Sequence, residues 1–134
     1  MTAARGRNCR TFGGKVVVVD VWATWCGPCQ EPMARLQTYG DAHPEWKDKV
    51  ILISVSIDDE MNTAKQHLKK RGWTKSVNTW VSGAWGSAAI KAYRVRGIPT
   101  CYVIGVDGKI AGAEHPGAMR LADVVNGALA QAKK

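Results

Sequence analysis

The 134-residue sequence lacks a long apolar run, and no stretch approaches the roughly 18 residues that a membrane-spanning helix needs. Residues 1–13 are polar and basic, and no hydrophobic segment that could serve as a signal peptide is visible among them. The length suits one domain with a single core. We therefore expect a flexible segment over residues 1–13, one domain over residues 14–134 and no integral membrane segment.

The sequence also lacks the patterns of metal and nucleic-acid sites. Its three histidines have no common spacing with the Cys26–Cys29 pair, and the sequence lacks the second cysteine pair or paired histidines that would complete a four-ligand zinc site. The net charge of +8 is not accompanied by basic residues interleaved with aromatics. These absences predict no metal and no nucleic-acid partner. The charge indicates a solvated basic surface, with acidic partners or anionic membrane surfaces as the alternative.

What the sequence does contain is concentrated in residues 16–29, VVVVDVWATWCGPC. Four consecutive valines cannot alternate between core and solvent, so they predict a strand buried on both faces of a parallel sheet. A helical pattern follows Cys29, and Pro28 suits a first helical turn. Cys26 would then lie where the helix begins, where the helix dipole favours its thiolate. Cys29, one turn later, can close a disulfide with it, which indicates redox chemistry.

Asp20 is a charged residue inside this apolar run, six residues before Cys26. Burial of a lone carboxylate is unfavourable, so its pKa should rise toward neutrality. We interpret Asp20 as the acid–base partner of Cys29. The alternative is a carboxylate near the strand end that reaches water.

The WCGPC motif after a valine-rich strand ending in Asp resembles the thioredoxin superfamily, and Gly97-Ile98-Pro99-Thr100 is similar to the cis-proline loop of that family. The resemblance extends over about residues 14–134. It implies an α/β thioredoxin fold, in which helices flank a central mixed β-sheet. It also implies that the Ile98–Pro99 bond is cis and that its loop faces the cysteines.

About 40 residues separate Asp58 from Pro99, more than small cytosolic thioredoxins have there. This insertion, between the second βα unit and the cis-proline loop, resembles the TlpA/ResA-like branch of bacterial thiol reductases. That likeness implies an extracytoplasmic location, periplasmic or membrane-anchored in a full-length protein. The lysine that cytosolic thioredoxins place beside the buried Asp is missing, and Ser54 is its nearest match.

Further elements follow from apolar patterning. Residues 50–57 predict a second buried strand, and Asp58 or Asp59 is expected to cap the next helix, which Gly72 ends. Residues 77–81 suggest a short edge strand and residues 87–94 a helix, and a hairpin at residues 107–108 precedes a final helix. The further strand or hairpin with which the relatives usually begin, before Gly14-Lys15-Val16-Val17, is expected to be absent.

The sequence thus predicts a thiol–disulfide oxidoreductase that reduces protein disulfides, with Cys26 as nucleophile and Cys29 as resolving thiol. Gly27 and Pro28 between the cysteines favour the reducing end of the family. Trp25, Gly27, Pro28, Ile98 and Pro99 are the expected substrate-binding residues.

We expect a monomer that needs no cofactor and receives electrons from an unidentified reductant. The alternatives are a disulfide oxidase or isomerase, and a non-catalytic thioredoxin-like binding module of a larger protein. Cys9 is expected to be a free surface thiol, with a third redox cysteine as the alternative. Cys101 is expected to be buried and inert, or else to tune the site.

Overall fold

The computed structural model describes residues 2–3, 15–81, 97–107, 109–114 and 121–132. The strands are β1 (Thr2–Ala3), β2 (Val16–Trp22), β3 (Val50–Ser56), β4 (Val77–Trp80), β5 (Thr100–Ile104) and β6 (Ile110–Glu114). The helices are α1 (Gln30–Ala42), α2 (Met61–Arg71) and α3 (Leu121–Ala132), with short 3-10 turns at Gly27–Cys29 and Pro44–Trp46. Within these ranges no helix is long and apolar enough to cross a membrane.

The strands form one mixed sheet in the order β1-β4-β3-β2-β5-β6. β2 pairs in parallel with β3 and antiparallel with β5, so it lies at the centre of the sheet. The valine run accounts for this position, because Val16, Val17 and Val18 are all nearly inaccessible to solvent on both faces of the sheet. The predicted fold class, a thioredoxin-type mixed sheet flanked by helices, is confirmed.

The main core lies between this sheet and the helices. Met33 and Leu36 of α1 and Val125 of α3 pack in one cluster with Trp22 of β2. A smaller cluster of Val17, Ile53 and Ile104 covers the other face. Helix α1, which begins at the cysteines, is thereby fixed against the central strand.

A buried polar side chain also ties α1 to β4. Gln37 accepts hydrogen bonds from the backbone N–H groups of Lys75 and Ser76, and its amide donates to Ser76 Oγ at 2.9 Å. Ser76 Oγ donates to Asn78 on β4 at 2.7 Å. This chain of bonds satisfies the backbone of the α2–β4 loop and limits movement of α1 along the sheet.

Two expectations for the strands need correction. β4 is not an edge strand, because β1 pairs with it in parallel through Thr2↔Thr79 and Ala3↔Trp80. A short strand, β1, is therefore present in the N-terminal segment, where none was expected. A two-residue strand carries too little periodicity to be recognised from sequence.

The helix ends agree only in part with the sequence pattern. Gly72 ends α2 in a left-handed conformation with φ of 71°, as predicted. The N-cap of α2 is Glu60, however, and neither Asp58 nor Asp59 caps the helix. The helix predicted over residues 87–94 lies outside the described residues, so the extent of the TlpA-like insertion stays a prediction.

Candidate active site

The CxxC turn connects the carboxyl end of β2 to the start of α1. Cys26 precedes the 3-10 turn Gly27–Cys29, in which Pro28 occupies a position that needs no N–H. The N–H of Cys26 donates to Ala23 O, and the N–H of Cys29 donates to Cys26 O, both at 3.2 Å. The cysteines therefore sit at the N-terminal end of a helix, as the spacing predicted.

Cys26 and Cys29 form a disulfide, with Cα atoms 5.3 Å apart. Cys29 is completely inaccessible to solvent, whereas Cys26 retains 6% exposure. Next to them, Trp25 is 62% exposed. Only the Cys26 side of the disulfide can therefore be approached from solvent.

Asp58, at the end of β3, holds the chain just before the cysteines. Its carboxylate accepts hydrogen bonds from the Thr24 N–H at 3.1 Å, from Thr24 Oγ1 at 2.6 Å and from Ser56 Oγ at 2.6 Å. Its backbone carbonyl accepts from Trp80 Nε1 at 2.7 Å. The role of Asp58 was missed in the sequence, although a signal existed: Asp58 follows a parallel strand, and the carboxyl ends of parallel strands meet at one edge.

Gln30, the first residue of α1, contacts the same turn. Its Nε2 donates to the Cys26 carbonyl at 2.8 Å, and its Oε1 lies 2.8 Å from Nε2 of His67 on α2. The His67 ring packs against Trp22 and Trp73, with centroid separations of 5.8 and 5.5 Å. Neither Gln30 nor His67 was singled out in the sequence, which gave no signal for a pair 37 residues apart.

Asp20 is 2% exposed in the middle of β2. Neither carboxyl oxygen has a hydrogen-bond partner in the described part of the chain. Burial raises its pKa from 3.8 to about 8, as predicted. The carboxyl borders a cavity of about 20 Å³ that is also lined by Pro32, Arg35 and Leu36 from the first two turns of α1.

Cys101 is the cross-strand neighbour of Asp20 on β5 and borders the same cavity. Its thiol is free and 4% exposed, and burial, followed by the charge of Asp20, raises its pKa. These properties agree with a buried, unreactive thiol. On the other side, Ser54 is the cross-strand neighbour of Asp20, and its hydroxyl donates to Asn78 at 2.7 Å. Cys9 lies outside the described residues.

The Ile98–Pro99 peptide bond is cis, in agreement with the resemblance. Thr100, the first residue of β5, pairs with Val21 near the end of β2. Ile98 packs against the core cluster that contains both cysteines. The sheet register thus brings the cis-proline loop to the edge that carries the CxxC turn.

The fold and this site define a thioredoxin-type dithiol–disulfide centre: a CxxC disulfide at a helix start, a buried carboxyl on the central strand and a cis-proline at the same sheet edge. The model of the protein family described as thioredoxin-like matches residues 13–110 of this chain. The chain therefore belongs to the thioredoxin-like family.

Relatives support the TlpA/ResA-like branch. The thiol-disulfide oxidoreductase ResA of Bacillus thuringiensis subsp. konkukian is 32% identical over 101 residues, covering 75% of this chain and 55% of ResA. The thioredoxin domain of a Bacteroides vulgatus thiol-disulfide oxidoreductase has a TM-score of 0.72 at 19% identity, covering 92% and 84% of the two chains. StoA of Bacillus subtilis has a TM-score of 0.64 at 23% identity, covering 76% and 74%. The chain spans about half the length of the curated relatives it matches.

The hydrogen bonds that the Asp58 carboxylate accepts from Thr24 and Ser56 should stabilise the folded protein. Asp58→Asn should lower the free energy of unfolding by about 2–4 kcal/mol, because an amide has one acceptor oxygen for three donors and turns an N–H group toward them. Urea unfolding of the oxidised protein measures this loss. The matched control is Asp59→Asn at an exposed neighbouring position, which should change stability by less than about 0.5 kcal/mol. Equal losses in the two variants would contradict the assignment.

The buried Asp20 predicts a pH dependence of stability. Its pKa is 3.8 unfolded and about 8 folded, so the folded protein binds the proton more tightly. The contribution of Asp20 is fully present below pH 3.8 and is lost as the pH rises through about 8, with a total on the order of 5 kcal/mol. Asp20→Asn should remove this loss. Denaturant unfolding of the oxidised proteins between pH 4 and 9 tests it, and parallel curves for wild type and variant would refute it.

Proposed function

We propose that this chain is a thiol–disulfide oxidoreductase that reduces disulfides of protein substrates by dithiol exchange. The observation that carries the proposal is the Cys26–Cys29 disulfide at the start of a helix, with Cys26 on the solvent side and Cys29 buried. Dithiol exchange requires one cysteine sulfur that reacts with the substrate disulfide and a second that reacts only with the first cysteine. The similarity to ResA supports the same chemistry.

In the reducing direction, the Cys26 thiolate attacks one sulfur of the substrate disulfide. The substrate S–S bond breaks, a mixed disulfide forms, and the other substrate sulfur leaves as a thiolate that takes up a proton. The Cys29 thiolate then attacks Cys26 Sγ, which forms the intramolecular disulfide and releases the second substrate thiol. Two electrons pass to the substrate, and a dithiol reductant must return them.

Asp20 is the proposed proton acceptor for Cys29. With a pKa of about 8, the Asp20 carboxyl is mostly protonated at pH 7, and its ionised fraction, roughly one tenth, is the form that accepts the Cys29 proton; an ordinary Asp carboxylate is too weak a base for this role. It borders the first turns of α1, and the adjoining cavity of about 20 Å³ has room for one water molecule to carry the proton. The structure contains no hydrogen bond from the Asp20 carboxyl within the described ranges, so the transfer would use that water or a small movement.

The proposed docking surface consists of Trp25, Gly27, Pro28, Ile98 and Pro99, of which Ile98 is half-buried and Pro99 is buried. Trp25 offers a large exposed aromatic face, and Gly27 and Pro28 are exposed beside it. Such a surface suits an extended peptide segment that presents a disulfide to Cys26.

From the resemblance to the TlpA/ResA-like branch we also propose an extracytoplasmic location. Fractionation of cells that express the natural full-length protein would test it.

Variants of the exchange residues should separate the two steps. Cys29→Ser should accumulate a mixed disulfide between Cys26 and a substrate protein, because the resolving thiol is gone. Asp20→Asn should form the same species but resolve it more slowly, by about tenfold or more at pH 7. Intact-protein mass spectrometry after rapid acid quenching measures both. Cys26→Ser should give no adduct, and an adduct on Cys29 instead would mean that the order of attack is wrong.

The reduction potential of the Cys26–Cys29 couple decides between the proposed reductase and the alternatives. A reductase should show about −270 mV or lower, because the Gly27-Pro28 dipeptide is that of thioredoxin. Equilibration in thiol buffers, read by the mass of alkylated protein, gives this value. About −120 to −180 mV would indicate a disulfide donor or isomerase. A pure binding module would give no turnover of insulin disulfides above buffer.

A further inference from the structure

Two side chains outside the CxxC turn, Gln30 and His67, form a hydrogen-bonded bridge to the backbone carbonyl of Cys26. The Cys26 carbonyl accepts two hydrogen bonds, one from the Cys29 N–H at 3.2 Å and one from Gln30 Nε2 at 2.8 Å. Gln30 Nε2 also lies 3.4 Å from the carbonyl oxygens of Ala23 and Thr24. The amide group of Gln30 therefore faces three carbonyl groups of the turn.

The other end of the Gln30 amide is fixed by His67. Because Nε2 of Gln30 must face the carbonyl groups, its Oε1 faces His67 and can only accept a hydrogen bond. His67 Nε2 is therefore the donor, at 2.8 Å. Burial, followed by the charge of Arg71, lowers the pKa of His67, and Asp58 opposes this shift. The neutral ring with its proton on Nε2 satisfies the contact.

The position of His67 is itself determined by packing. Its ring packs against both Trp22 and Trp73, and these two indoles also contact each other edge to face, with centroids 5.9 Å apart. Trp22 and Trp73 are both buried. The packing of the His67 ring thus restricts where its Nε2–H donor can lie, and this donor orients the Gln30 amide at the start of α1.

We propose that Gln30, oriented by His67, is a positioning residue that keeps Cys26 and Cys29 at disulfide-forming distance when the couple is reduced. This inference rests on the proposed exchange at the two cysteines. In the reduced protein no S–S bond restrains the turn, so the orientation of the Cys26 peptide depends on its hydrogen bonds. Loss of the bridge lowers the effective concentration of Cys29 at Cys26.

We expect loss of the bridge to change the formation of the Cys26–Cys29 disulfide and not the reactivity of the Cys26 thiol itself. Gln30→Leu removes the donor to Cys26 and should lower the equilibrium ratio of disulfide to dithiol by about 5- to 10-fold. Closure of a Cys26–glutathione mixed disulfide by Cys29 should slow by a similar factor. Alkylation of Cys26 by iodoacetamide should change by less than about twofold, because the bridge contacts the carbonyl and not the sulfur.

Variants at His67 test the second half of the bridge. His67→Phe keeps an aromatic ring packed against both tryptophans but removes the donor, and it should reduce the disulfide-to-dithiol ratio and the closure rate by about 2- to 5-fold. His67→Gln supplies an amide donor to Gln30 and should restore them to within about twofold of wild type. Gln66→Leu is the matched control for Gln30→Leu. It replaces a glutamine by leucine at an exposed position next to His67 and should change neither the disulfide-to-dithiol ratio nor the closure rate.

The experiment equilibrates each 134-residue variant in mixtures of oxidised and reduced dithiothreitol, which exchange two electrons and two protons with the Cys26–Cys29 couple. Circular dichroism establishes that each variant is folded, and if Gln30→Leu is not, the two His67 variants carry the test. The inference is overturned if Gln30→Leu matches wild type, or if His67→Gln is as impaired as His67→Phe. Failure of wild type to exchange disulfides at all would instead overturn the proposed function.

Discussion

The in-register parallel pairing of β2 with β3 is the constraint on which the active-site turn depends. Seven consecutive pairs run from Val16↔Val50 to Trp22↔Ser56, so both strands end at the same level. The chain after β2 carries the cysteines, and the chain after β3 carries Asp58. Because the ends are side by side, Asp58 reaches Thr24 across 34 residues of sequence. A register slip of one residue would place Asp58 on the wrong face of the sheet.

The same sheet determines the surroundings of Asp20. Its two cross-strand neighbours are Ser54 and Cys101, and neither offers a positive charge. Cytosolic thioredoxins, by family resemblance, have a lysine near the Ser54 position, whereas here the Ser54 hydroxyl is bonded to Asn78. Desolvation therefore acts on Asp20 without compensation, and the carboxyl stays protonated to about pH 8. Proton transfer in this chain would rely on burial and not on a paired cation.

Much of the fold was predictable because its signals are local. The valine run, the apolar stretch before Asp58 and the glycine at position 72 each determine their own element through burial or backbone conformation. The WCGPC and Ile98-Pro99 motifs indicated the site for the same reason. One error is local, since Glu60, and neither Asp58 nor Asp59, is the N-cap of α2. The other errors concern pairing between distant segments. β1 and the inner position of β4 depend on contact between residues 2–3 and 79–80, and a two-residue strand leaves no periodic trace.

The sequence by itself determined the reacting groups, since two cysteines three residues apart at a helix start can form a disulfide whatever surrounds them. It also favoured the burial of Asp20 within an apolar strand, but only the structure excluded the alternative of a carboxylate that reaches water, because Asp20 is 2% exposed. Only the tertiary structure decided which side chains hold the turn. Asp58 and His67 lie 34 and 37 residues from the groups they bind, and they reach them because β3 and α2 pack beside β2. Hydrogen bonds of this kind depend on distances between separate elements, which no local pattern encodes.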